Sequence, residues 1–134
     1  MARARSSMGF FGMFGRSSDL RQLDSALRAV DVHPALVPEG AKLAVVNLMK
    51  DEAGGRMPPP QAFAPVAELL GYCMLGREAF ARAHGEARRL AVETRVESAL
   101  DEPAHRDAPY LLLMIHSKLI QPSVVDDFDL RAEE

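Results

Sequence analysis

The chain has 134 residues, 48% of them hydrophobic and 26% charged, with a formal net charge of -3. That length suits one domain, large enough to bury roughly two thirds of its unfolded surface without cross-links. The acidic balance excludes a dedicated DNA or RNA binder, which carries a basic excess, and a lone cysteine, Cys73, excludes an internal disulfide.

The first element in chain order is not a helix. Residues 1–16 carry Arg3, Arg5 and Arg16 with no acid, and between them runs Gly9-Phe10-Phe11-Gly12-Met13-Phe14-Gly15. Half of the six phenylalanines lie here, outside any stretch with a polar face. Arg3 and Arg5 ahead of an apolar run resemble the start of a signal peptide. The run is short, however, broken by glycines, and no small-residue cleavage site follows it, so the expected location is cytoplasmic. A flexible tail exposing Phe10, Phe11 and Phe14 would invite aggregation unless it docks. Three destinations compete: the protein's own domain or a sister chain, a membrane surface with the arginines near anionic headgroups, or another protein. Residues 1–17 are therefore read as a Phe/Gly-rich segment with partner-binding residues Phe10, Phe11 and Phe14, and residues 18–134 as the helical domain.

Helical periodicity dominates the rest. Ser17, Ser18 and Asp19 suit capping, and Leu20, Leu23, Leu27 and Val30 follow at helical spacing. His33-Pro34 interrupts the pattern; Pro38 and Glu39 then suit the first turn of a second helix, buried through Leu43, Val46, Leu48 and Met49 and stopped by Gly54-Gly55. Pro58-Pro59-Pro60 is a stiff connection. Phe63 to Leu75 has Glu68 as its one charge and is apolar on nearly every side. A short helix from Arg77 to His84 ends at Gly85. Glu86 to Asp101 is the most polar helix, with a narrow strip of Val92, Val96, Ala99 and Leu100. Pro103 is placed to open a helix reaching Ile120, whose stretch from Tyr110 is again apolar all round. Pro122 breaks it, and Val124 to Phe128 forms a last turn. No alternating β-branched run predicts a strand.

The expected fold is all-α, a single compact domain of five or six helices. Phe63–Leu75 and Tyr110–Ile120 pack together at its centre, with Leu70, Met74, Leu112 and Ile115 nearly fully buried. Truncating Leu70 or Leu112 to alanine is then expected to cost about 2–5 kcal/mol. A helix apolar all round must be enclosed by other helices, a second copy or lipid. A domain this small has limited means of enclosing two, so a homo-oligomer, by default a two-fold dimer, is expected.

Chemistry is sparse by comparison. His105 and His116 share a helix face but stand roughly 16 Å apart along it, too far to hold one metal ion. No His-x-x-x-His or paired-cysteine spacing occurs, and Asp126, Asp127 and Asp129 have no turn glycine of a calcium loop beside them. The glycines of the N-terminal segment lack the strand and the Gly-Lys-Ser/Thr of a phosphate loop, and Cys73 sits among apolar neighbours that would not lower its pKa. No catalytic, cofactor-binding or metal-ligating residue is assigned. The sequence leans towards a non-enzymatic, homo-oligomeric interaction module. A membrane-surface accessory protein is second, and an enzyme without a recognisable motif third. A cleft converging two of His33, His84, His105 and His116 with carboxylates would favour the enzyme, and an exposed apolar patch the module.

Overall fold

The computed structural model describes residues 17–130. Among these the regular elements are all helical, with no strand. They are α1 (Ser18–Ala29), α2 (Glu39–Glu52), α3 (Phe63–Leu75), α4 (Arg77–His84), α5 (Glu86–Asp101), α6 (Ala108–Ser117) and α7 (Pro122–Phe128), with short 3₁₀ turns at Pro34–Leu36 and Pro60–Ala62. Residues 1–16, and with them the segment carrying Phe10, Phe11 and Phe14, lie outside the described residues.

The described residues form seven α-helices where five or six were expected. The excess comes from a one-residue corner and a closing turn that makes a helix of its own. Gly76 (φ 91°, ψ 166°) holds a backbone conformation open to glycine alone. Its N–H caps Tyr72 O at 2.9 Å, while its own carbonyl accepts from Phe80 N–H at 3.0 Å, so α3 ends and α4 begins on the same residue.

Ser17 caps α1 as expected, its Oγ accepting from Leu20 N–H at 3.4 Å. The other end of α1 closes on Asp31, in the left-handed region at φ 67°. Val32 N–H then reaches back to Leu27 O at 2.9 Å, burying both side chains. The α6 end is built the same way. Lys118 takes φ 58°, its N–H bonds Ile115 O and Leu119 N–H bonds Met114 O at 3.1 Å. This closure stops the helix at Ser117 rather than Ile120. Its start also moves, from Pro103 to Ala108, because the intervening residues wind into turns held by Asp107 N–H to His105 Nδ1 at 3.1 Å.

The central place of α3 is borne out: it packs against α1, α4, α5 and α6. Its residues Val66, Leu69, Leu70, Tyr72 and Cys73 are all buried. A methyl group at Gly71 would lie 2.8 Å from Val30 Cγ2, so glycine is what lets α1 and α3 approach closely. The expected contact between α3 and α6 is present. The expected burial on α6 is not. Tyr110, Leu111 and Met114 face the core, whereas Leu112 is 55% exposed and Ile115 is half-buried, as is Met74 on α3. At about 100° per residue, Tyr110, Leu111 and Met114 share one side and Leu112 points away from it. Helices α2, α3 and α5 flank α6, and none covers the Leu112 side.

One ion pair secures the start of α6. Arg95 on α5 makes a two-pronged contact with the buried Asp107 (Nε–Oδ2 2.9 Å, Nη2–Oδ1 3.0 Å). The same Nη2 donates to Pro65 O at 3.0 Å, so α5, α6 and the first turn of α3 meet on a single guanidinium.

Candidate functional site

Two apolar grooves meet at Ile115. The first, about 230 Å³, lies between the end of α5 and α6 and is lined by Ala99, Leu100, Pro103, Leu111 and Leu112. The second, about 360 Å³, runs from Ile115 past Ile120, Pro122 and Val125 to Leu130. Leu100 is 44% exposed, although it continues the strip of Val92, Val96 and Ala99 that buries α5. It lies one residue past Ala99, about 100° round the helix, and so falls off the covered side.

Local structure builds the second groove. The left-handed Lys118 turns Leu119 and Ile120 back from the axis of α6, and Gln121 N–H bonds Cys73 O at 2.7 Å, drawing the chain to the end of α3. Pro122 then starts α7, whose Val124 is buried and whose Val125 faces the groove. At the other end Asp129 (φ 55°) reverses the chain, and Leu130 folds in with its N–H on Val125 O.

The groove walls carry little charge: Lys118 and Asp126 line the second groove, and the lining of the first is uncharged.

Three of the four histidines make structural contacts. His33 Nδ1 accepts from Ala35 N–H at 3.0 Å, and His105 caps Asp107 as described above. His84, at the end of α4, is packed on the Phe80 ring at 4.8 Å, with Nδ1 3.4 Å from Arg88 and Nε2 3.7 Å from Asp31. His116 is exposed at the end of α6. None of the four lines either groove. Among the described residues no three of His, Cys, Asp and Glu are placed to hold a metal ion.

The remaining candidates are buried or neutralised. Burial pushes the Cys73 thiol up to about 12, with Arg95 opposing weakly, so it is a protonated small hydrophobe near neutral pH. Burial, then the hydrogen bond to Glu93, also raises Tyr72 well above the usual phenol range; its hydroxyl donates to Glu93 Oε2 at 2.7 Å. Tyr110 is raised in the same way by burial and Glu52. Burial alone would raise Asp19, but hydrogen bonds from Ser17, Lys50 and Leu20 N–H outweigh it and hold the carboxyl below its usual range. A polar cleft of about 470 Å³ beside Gly76 holds Arg77, Arg82, Glu78 and Asp127. Arg77 there lies 3.3 Å from Glu93 and 4.0 Å from Asp127, so its charge is matched by its own neighbours.

Sequence reading assigned Phe10, Phe11 and Phe14 to partner binding, and they lie outside the described residues. It missed Leu100, Leu112 and Ile115 by reading them as core. The available signal was the excess of apolar residues on α6 over what a short helix in a small bundle can bury. In comparisons with protein-family models, curated proteins and solved structures, nothing matches this chain. No helix among the described residues is long and apolar enough to cross a membrane.

Proposed function

We propose that the chain is a non-enzymatic helical interaction module that associates with a second copy of itself through the α5–α6–α7 face. The observation that carries this reading is the exposure of Leu112, flanked by Leu100 and Ile115, on an apolar surface running through two adjoining grooves. Contiguous apolar surface of this kind on a small protein marks an interaction site far more often than an accident of folding. A membrane-surface accessory protein is the second reading. The absence of a histidine or an activated nucleophile from the grooves leaves the enzyme reading third.

A closed two-fold dimer is the simplest assembly, since one self-complementary patch satisfies both copies. The surrounding compartment in this reading is the cytoplasm, with residues 18–134 as a single domain. Light scattering on the full chain tests the proposal: the expected particle contains two 14.7 kDa chains. The variant Leu112→Arg, altered at an exposed position, is expected to return the single-chain mass with an unchanged helical signal. A full chain that stays monomeric at high concentration, or a Leu112→Arg variant that stays dimeric, overturns it.

A further inference from the structure

Lys118 stands where a glycine would sit with less strain. It takes φ 58° at the end of α6, in the left-handed region where a side chain is penalised. Its N–H and that of Leu119 already satisfy Ile115 O and Met114 O, so the ammonium is not spent on closing the helix. The ammonium has no hydrogen bond or ion pair among the described residues, whereas Asp126, the other charge on the walls of the second groove, is engaged within the chain. The uncommitted charge of that groove is therefore a single cation. A non-glycine residue kept in this conformation points to a use for its side chain.

We infer that the second groove binds a free single-chain carboxylate amphiphile, a molecule of the fatty-acid class. Its alkyl chain lies along Ile115, Ile120, Pro122, Val125 and Leu130, and its carboxylate pairs with the Lys118 ammonium. Apart from Lys118 and Asp126, the lining is aliphatic and offers no hydrogen-bonding side chain. A ligand body bearing polar atoms would leave them unpaired there, so a hydrocarbon chain fits and a sugar or nucleotide does not. The volume of about 360 Å³ falls within the range of small-molecule sites, roughly 300–1,000 Å³. At Ile115 the first groove adjoins it, and its uncharged lining has room for the tail of a longer chain. An anionic head accounts for the lone cation, since a contact between opposite charges is roughly twice as strong as a neutral hydrogen bond. Leu112 lines the first groove alone, so binding here does not depend on the self-association proposed above. In a dimer that covers both grooves, the ligand and the second copy compete for the same surface.

Calorimetric titration of decanoate, kept below its micelle concentration, into the full chain and into its Leu112→Arg variant tests the site. Both are expected to bind one decanoate per chain. Lys118→Gly relieves the left-handed turn and leaves the groove in place, and it is expected to weaken decanoate binding at least about 10-fold. Decanol, which lacks the charge, is expected to bind the parent and Lys118→Gly alike. No saturable binding of decanoate, equal decanoate affinity in parent and Lys118→Gly, or binding to phosphatidylglycerol vesicles alone overturns the site. A Leu112→Arg variant that stays dimeric yet binds decanoate overturns the self-association and upholds the site. One that is monomeric and ignores decanoate overturns the site and leaves the self-association standing.

Discussion

Helices α3 and α6 are equally apolar to the eye and are treated differently by the fold. Four helices, α1, α4, α5 and α6, surround α3, and its Leu69, Leu70, Tyr72 and Cys73 are shut away from water. The main neighbours of α6 are α2, α3 and α5, and they bury Tyr110, Leu111 and Met114 while Leu112 is left outside. Apolar residues on every side of a helix state a demand for neighbours. How many arrive depends on where the rest of the chain can go. In α6 the unmet part of that demand remains as exposed apolar surface.

The largest expected effect comes from releasing α6 from its anchor. Arg95→Ala leaves the buried Asp107 carboxylate without its two-pronged partner and frees Pro65 O. Breaking a buried pair from one side is expected to cost about 3–5 kcal/mol, read as a fall in the denaturant midpoint. A loss under about 1 kcal/mol would mean that α6 is held by its apolar contacts alone.

Leucine truncations sharpen the contrast between the two helices directly. Leu70, 1% exposed, is expected to lose about 2–5 kcal/mol on replacement by alanine. Leu112→Ala, measured at concentrations where the chain is monomeric, is expected to change stability by no more than about 0.5 kcal/mol. Equal losses at both positions would erase the distinction.

Alkaline unfolding separates the helices more gently. The phenols of Tyr72 on α3 and Tyr110 on α6 are both raised in the folded protein, by burial and by the carboxylates that accept their protons' hydrogen bonds. The unfolded chain therefore loses these protons first. Their contribution is fully present below the ordinary phenol value of about 10 and falls away as pH rises beyond it. Tyr72→Phe is expected to flatten the decline in stability above pH 10 relative to the parent. An identical slope would show that Tyr72 does not contribute to it.

The smallest effect is a gain. Lys118 ends α6 in the left-handed region, where glycine carries no side-chain penalty. Lys118→Gly is expected to raise stability by about 0.5–1 kcal/mol and leave the groove shape unchanged. A loss instead would mean that the lysine stem covers apolar surface beside Ile115.

Much of the architecture was legible in the residues: helical spacing from Leu20 to Val30, the cap at Ser17, the breaks at Gly54-Gly55, Gly76 and Gly85, and the encasement of Phe63–Leu75. These are local properties, carried by backbone preference and by the period of apolar residues, and a neighbour is not needed to express them. The exposed apolar side of α6 was not legible. Leu112 and Leu70 are the same side chain in similar apolar surroundings, and the expectation that both were core failed for one. Nor does any spacing rule connect Arg95 with Asp107, or the early end of α6 with a left-handed lysine. Burial is a property of three-dimensional neighbours. Local sequence determined that α6 would be a helix with more apolar surface than it could use, and only the tertiary packing, by bringing partners to one side and none to the other, decided which leucine remained in water.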